Sequence, residues 1–105
     1  MIAHGIDLNS NAIRDFCRKW KIRELSVFGS ILRDDFRPDS DVDFLVEHEA
    51  DAQWDLFDSL HMEEELAELV GRPVDIVDRY AAETSQNRFF KKEILSTAEP
   101  VFARR

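Results

Sequence analysis

Three aspartates stand inside apolar, strand-like runs of this chain. Asp41 and Asp43 open the run 41–46, and Asp75 lies within the run 74–77. An unpaired charge in apolar surroundings costs much free energy, so carboxylates at such positions indicate a site. Residues two apart in a strand point to the same face, which means that Asp41 and Asp43 project together. Asp75 joins them if its strand pairs beside theirs.

Such a patch of carboxylates predicts a site for divalent metal. Like charges at this spacing repel one another and favour protonation, and a hard cation removes that conflict. Ligands that are all oxygen suit Mg²⁺, which completes its shell with water and substrate phosphates. Two ions about 3.5–4 Å apart are a known arrangement for phosphoryl and nucleotidyl transfer. We therefore expect Asp41, Asp43 and Asp75 to bind Mg²⁺ and to act in catalysis.

A Gly-Ser pair fits the same chemistry. Gly29 allows the backbone to approach a phosphate closely, and Ser30 offers a hydroxyl and an amide at the start of a helical turn. Arg33, one turn later, can reach the same phosphates. A Gly-Ser pair alone is usually a turn, and a lone Asp-x-Asp is usually surface charge. The four positions together arise by chance in roughly one chain of this length in several hundred, which favours the functional interpretation.

The elements that must position these residues follow from periodicity and turn signals. In order we predict a helix capped by Asn9 or Ser10 with Cys17 in its apolar stripe, a strand over 25–28, a helical turn over 31–35, a strand over 41–47, a helix over 52–70 ended by Gly71, a strand over 73–78, a helix over 85–98 and an edge strand at 101–102. The apolar surface of the long helix is expected from Trp54, Phe57, Leu60, Leu66, Leu69 and Val70.

These elements predict one small α/β (α+β) domain over residues 1–105. Its three- to four-stranded mixed sheet has helices packed on one face. The strand over 41–47 follows the strand over 25–28 too closely for a long parallel crossover, so the two should be antiparallel. No partner pattern surrounds His4, His48 or His61, and we assign none of them to a metal.

Composition limits the possible partners and compartment. The net charge of −8 argues against direct binding to nucleic acid, whose phosphates need Lys and Arg, but it leaves room for a metal-bound nucleotide. No apolar run approaches the roughly 20 residues of a membrane span, and the first residues lack the features of a signal peptide. Cys17 is the only cysteine, so we expect no internal disulfide and a cytoplasmic location.

Several segments of the chain resemble the minimal nucleotidyltransferases, within the DNA polymerase beta-like nucleotidyltransferase superfamily. The segments are Gly29-Ser30 with Arg33 and Asp35, Pro38-Asp-Ser-Asp-Val-Asp43, Glu64-Glu-Leu66, Leu69-Val-Gly-Arg-Pro-Val-Asp-Ile-Val77, and Lys92-Glu-Ile-Leu95 with Ala98. The resemblance covers nearly the whole chain and implies a nucleotidyltransferase core as the fold.

The resemblance also implies a role for each site residue. Asp41 and Asp43 would hold two Mg²⁺ ions, while Asp75 would complete the metal site or deprotonate the attacking hydroxyl. Gly29 and Ser30 would hold the triphosphate of ATP. Ile31 departs from the pattern, because relatives often carry arginine at this place, and the departure removes one phosphate contact.

Members of this family are commonly encoded with a HEPN-domain ribonuclease toxin. The resemblance therefore implies an antitoxin that transfers AMP from ATP to a tyrosine hydroxyl of that toxin, in a hetero-oligomer. One alternative is a non-catalytic antitoxin that neutralises the HEPN toxin by binding alone. Another is a small-molecule nucleotidyltransferase of the antibiotic-modifying kind. The length of 105 residues argues against that last alternative, because such enzymes add an acceptor-binding domain to this core.

An acidic stretch runs from Glu47 to Glu68 without any Lys or Arg. The ordinary interpretation is a solvated helix face. The sharper hypothesis is that the stretch steers docking onto a basic ribonuclease surface, since charges at the rim of an interface act mainly on the association rate.

Overall fold

A four-stranded mixed sheet forms the centre of the fold in the computed structural model, which describes residues 1–104. The elements in chain order are β1 (Ile2–Ala3), β2 (Ile6–Asp7), α1 (Asn11–Lys19), β3 (Ile22–Phe28), a 3-10 turn (Gly29–Leu32), β4 (Val42–His48), α2 (Leu56–Val70), β5 (Val74–Asp78), α3 (Arg79–Glu83), α4 (Arg88–Thr97) and β6 (Glu99–Ala103). The sheet order is β5-β4-β3-β6, with β3 antiparallel to β4 and β6, and with β4 parallel to β5. The predicted α+β domain with a mixed sheet is confirmed.

Helices cover both faces of this sheet, so the prediction of helices on one face was wrong. Side chains alternate along β4: Phe44 and Val46 belong to the large core that includes Met62 of α2, whereas Leu45 packs with Ala82 and Ile94 on the opposite face. The sequence prediction missed α3, which has only five residues. It also missed the two-residue strands β1 and β2, which form an antiparallel pair.

N-terminal caps set the helix boundaries, and two of them show that a helix begins later than predicted. The helix predicted over 52–70 begins at Leu56, because the Asp55 carboxylate accepts a hydrogen bond from the Asp58 amide at 2.8 Å while Asp58 accepts one from the Asp55 amide. The helix predicted over 85–98 begins at Arg88, because the side chain of Asn87 caps it. Ser10, one of the two candidate caps, caps α1.

The apolar surface of α2 also differs from the prediction. Met62 and Leu66 are its buried residues. By contrast, four apolar side chains on this helix are exposed: Leu56, Phe57, Leu60 and Leu69. A continuous helical pattern cannot distinguish the side that meets the sheet from the side left in solvent.

Contacts between α1 and α2 fix the helices on their side of the sheet. The Glu65 carboxylate accepts hydrogen bonds from the indole N–H of Trp20 at 2.6 Å and from the Lys19 ammonium at 3.0 Å. Cys17 is fully buried, and burial raises the pKa of its thiol to about 12, as befits a core residue. Within residues 1–104, none of the helices has both the length and the apolar character that a membrane crossing requires.

Candidate active site

Asp43 of β4 and Asp75 of β5 are direct partners in the parallel pair. Because register partners point to the same face, both carboxylates lie on the face opposite to the buried Val42 and Val74. Asp41 immediately precedes β4, two residues before Asp43. β5 pairs beside β4, which is the condition under which the sequence analysis expected Asp75 to join Asp41 and Asp43 in one patch.

Gly29 lies directly beneath the Asp43 side chain. It has φ of +76°, a left-handed conformation, and a Cβ added there would lie 2.5 Å from Oδ2 of Asp43. A side chain larger than hydrogen would therefore be strained and would displace the carboxylate. The next residue, Ser30, donates a long hydrogen bond of 3.5 Å from its hydroxyl to the carbonyl of Asp41. The Gly-Ser turn is thus in contact with the Asp43 side chain and with the backbone of Asp41.

The electrostatic environment of Asp43 favours added positive charge. Burial, and after it the nearby Asp75 and Asp41 carboxylates, raise the pKa of Asp43 from its ordinary 3.8 to about 6, while Arg33 acts in the opposite direction. Half-burial next to two carboxylates is unfavourable for a third negative charge. A cation placed among the three groups would remove this penalty.

The three aspartates share a patch, but their carboxylates are not close enough together to coordinate one metal ion. Among residues 1–104, no three Asp, Glu, His or Cys side chains converge closely enough to hold a metal ion. Asp41 and Asp75 are exposed, and only Asp43 is partly buried. The donors are all carboxylate oxygens beside an open backbone turn, and this chemistry fits Mg²⁺.

The two side chains after the Gly-Ser pair have different surroundings. Arg33 is exposed, its Nε lies 3.3 Å from Oδ1 of Asp35, and its charge acts on Asp43. Ile31 is 1% exposed and belongs to the main core, so its position contributes packing rather than a phosphate contact. The helical turn predicted over 31–35 lies earlier, over Gly29–Leu32.

Arg72 is a positioning residue to which the sequence reasoning gave no role. Its guanidinium donates hydrogen bonds to the backbone carbonyls of Arg37 and Ser40, at 3.0 and 3.2 Å, and lies over the Phe36 ring. These contacts fix the loop that leads into Asp41. The available signal was the location of Arg72 two residues before the strand that carries Asp75.

Comparisons with known proteins identify the class of enzyme to which this sheet and its aspartate patch belong. Residues 10–97 match the family model described as a nucleotidyltransferase domain. Because the match spans most of the chain, the chain belongs to the nucleotidyltransferase domain family, and it is a nucleotidyltransferase.

Individual relatives are consistent with this assignment. The protein adenylyltransferase MntA of Thermococcus cleftensis is 30% identical over 82 residues, which cover 78% of this chain and 81% of the relative. A toxin–antitoxin crystal structure with AMP-PNP has a TM-score of 0.70 at 23% identity and covers 93% of this chain and 76% of that one.

A second solved structure is similar in fold. It is the complex of tri-AMPylated Shewanella oneidensis HEPN toxin with MNT antitoxin, with a TM-score of 0.62 at 23% identity, covering 92% of this chain and 71% of that one. The resemblance to minimal nucleotidyltransferases is confirmed.

Proposed function

We propose that this chain is a Mg²⁺-dependent antitoxin that transfers AMP from ATP to a tyrosine hydroxyl of a partner HEPN ribonuclease toxin. The observation that carries the proposal is the register of Asp43 with Asp75, with the Asp43 carboxylate lying over Gly29. The similarity to a protein adenylyltransferase supports AMP as the transferred group. The similarity to a complex of an AMPylated HEPN toxin supports the acceptor.

The residues take complementary parts in this reaction. Asp41, Asp43 and Asp75 would hold Mg²⁺, which supplies stabilisation of the charge on the phosphates and of the leaving group. Gly29 and Ser30 would bind the triphosphate through the open turn, and Arg33 would approach it from the exposed side. The acceptor oxygen forms a bond to the α-phosphorus as the bond to pyrophosphate breaks. Asp75, which is exposed, would accept the proton of the attacking hydroxyl.

The exposure of the site supports a protein acceptor. Asp41 and Asp75 lie at the surface, where a hydroxyl on a partner can approach them. Cys17 is buried and forms no disulfide, which fits the reducing cytoplasm in which we expect the antitoxin and its toxin to act.

A binding antitoxin without catalysis is the second candidate. It is favoured by Leu56 and Phe57 on α2 and Phe89 on α4, each more than 70% exposed, which offer apolar surface to a partner.

Transfer of label distinguishes the two candidates. ATP labelled at its α-phosphate is incubated with Mg²⁺ and this chain, with and without the HEPN ribonuclease that we propose as its partner. We expect label on the ribonuclease only when both proteins are present, and we expect its loss when the acceptor tyrosine is changed to phenylalanine. Label that never reaches the ribonuclease, or that passes readily to an aminoglycoside, would contradict the proposal.

A further inference from the structure

The loop over residues 33–41 leads from the Gly-Ser turn to the first aspartate of the patch. Its last part is a tight turn, in which the Ser40 amide donates to the Arg37 carbonyl at 3.0 Å and the Ser40 hydroxyl accepts from the Arg37 amide at 3.0 Å. Asp41 follows this turn and is exposed, so packing does not fix its carboxylate. The direction of that carboxylate therefore depends on how the backbone of the turn is held.

Both chain neighbours of Asp41 are tied to one dipeptide, Arg72-Pro73, which lies immediately before β5. The Arg72 guanidinium donates to the Ser40 carbonyl at 3.2 Å, and the Val42 amide donates to the Pro73 carbonyl at 3.0 Å. Because β5 carries the third aspartate of the patch, these two hydrogen bonds connect the loop to the strand that completes the site. Of the two, only the bond from Arg72 comes from a side chain.

Phe36 gives the guanidinium a further point of contact with the loop. The Phe36 ring packs against the main core, the Arg72 guanidinium carbon lies 4.5 Å from the ring centroid, and the His4 ring lies 4.7 Å from it. The guanidinium also donates to the Arg37 carbonyl at 3.0 Å. A planar guanidinium can stack on a ring and donate several hydrogen bonds at once, so this one side chain holds both the start and the end of the turn.

The charge of Arg72 would by itself oppose a cation at the patch. A positive group repels Mg²⁺, so removal of the charge alone should strengthen cation binding or leave it unchanged. The causes of the raised pKa of Asp43 include Arg33 but not Arg72. Weaker cation binding after the loss of Arg72 would therefore have to come from geometry.

We propose that Arg72 is a positioning residue that sets the affinity of the aspartate patch for a divalent cation by holding Asp41 in place. This role rests on the proposed function, in which Asp41 holds Mg²⁺. Arg72 touches neither the cation nor the nucleotide, and it acts only through the turn before β4. Side chains that orient metal ligands from outside the ligand set typically change metal affinity by about 10–100-fold when they are replaced.

Two glutamine variants with the same change in charge test the role of Arg72. Arg37→Gln is the matched control, because Arg37 is exposed in the same turn and the variant keeps the carbonyl that Arg72 contacts. Binding of Mn²⁺, as a substitute for Mg²⁺, is measured by electron paramagnetic resonance without nucleotide. We expect Arg72→Gln to weaken binding about tenfold or more, and Arg37→Gln to leave it within about twofold, because salt screens an exposed charge. Equal affinity of wild type and Arg72→Gln, tighter binding by Arg72→Gln, or equal weakening by the two variants would overturn the proposal.

A double-mutant cycle with Asp41→Asn tests whether the effect passes through Asp41. In the Asp41→Asn background, Arg72→Gln should change the affinity for Mn²⁺ by less than about twofold, because the ligand that Arg72 positions is already lost. If the full effect of Arg72→Gln persisted in that background, Arg72 would act on another part of the site, and the proposal would be wrong.

Backbone dynamics of the metal-free protein test the positioning role independently of activity. NMR order parameters of the Ser40 and Asp41 amides should fall from about 0.85 in wild type to below about 0.6 in Arg72→Gln, while those of Phe44 and Val46 in β4 stay high. Unchanged order at Ser40, or an equal fall in β4 that reports a general loss of structure, would contradict the proposal. Failure of the proposed function is distinguishable from both, because it appears as wild type that binds no Mn²⁺.

Discussion

Replacing Asp43 with asparagine should stabilise the fold in the absence of metal. Asp43→Asn keeps the size of the side chain and removes the charge that Asp75 and Asp41 oppose. The pKa of Asp43 is raised from 3.8 to about 6, and a shift of about two units corresponds to a ceiling of about 3 kcal/mol. Because the aspartates are partly open to solvent, screening reduces this to about 1–2 kcal/mol. The melting temperature should rise by roughly 5–15 °C for a domain of this size.

The stability difference between Asp43→Asn and wild type should depend on pH. The folded state holds the Asp43 proton more tightly than the unfolded state, so the contribution of this group to stability is fully present below about pH 4 and is lost as the pH rises through about 6. The advantage of Asp43→Asn over wild type should therefore be near zero in acid and complete above about pH 6.5.

Urea unfolding in EDTA across this pH range measures the difference. Asp39→Asn is the matched control, because Asp39 is exposed in the loop before β4 and does not contribute to the raised pKa of Asp43. Asp39→Asn should follow the wild-type curve. If Asp43→Asn were less stable than wild type at pH 8, or if its advantage did not change with pH, the electrostatic reasoning would be refuted.

Three further predictions concern the turn, the metal and the partner. Gly29→Ala and Gly71→Ala both force a positive φ on alanine, and each should lower the free energy of unfolding by about 1–2 kcal/mol. Only Gly29→Ala, whose Cβ meets the Asp43 carboxylate, should abolish nucleotide transfer. Equal transfer by the two variants would contradict the proposed contact. Mg²⁺ with ATP should raise the melting temperature of wild type more than that of Asp43→Asn, since binding stabilises only an intact site. Identical melting curves of wild type in EDTA and in Mg²⁺ with ATP would contradict a metal site. Changing the exposed Glu64 and Glu68 to lysine reverses their charge and should slow association with the ribonuclease at low salt but not at high salt. An association rate that is unchanged at low salt, measured by stopped flow, would show that the acidic stretch is an ordinary solvated helix face.

The sequence predicted the mixed sheet and the strands that carry the aspartates of the candidate site, because the relevant signals are local. Alternation around Asp43 and Asp75 identified two strands and the face that carries the carboxylates, and Gly29 marked a backbone turn. The structure brings these residues together, because parallel pairing of β4 and β5 aligns positions that are 32 residues apart as direct partners.

The remaining features depend on contacts that the sequence pattern does not reveal. The five-residue α3 has no full apolar period, and with α4 it covers the second face of the sheet through Ala82 and Ile94. The exposed Phe57 and Leu60 look like core residues in the sequence, because periodicity shows an apolar stripe but not its width. Arg72 acts through the carbonyls of a loop more than 30 residues earlier, and only the folded chain shows that contact.

A dose series against the ribonuclease tests most directly whether the aspartate patch is catalytic. Wild type and Asp43→Asn are titrated, with ATP and Mg²⁺, against a fixed amount of active partner, and the remaining cleavage of RNA is measured. Removing a group that stabilises charge in the transition state typically lowers the rate by about 10²–10³-fold. We expect Asp43→Asn to remain folded and to fail at doses where wild type protects. Neutralisation by the variant at the same molar ratio as wild type would contradict a catalytic antitoxin and leave binding alone as the mechanism.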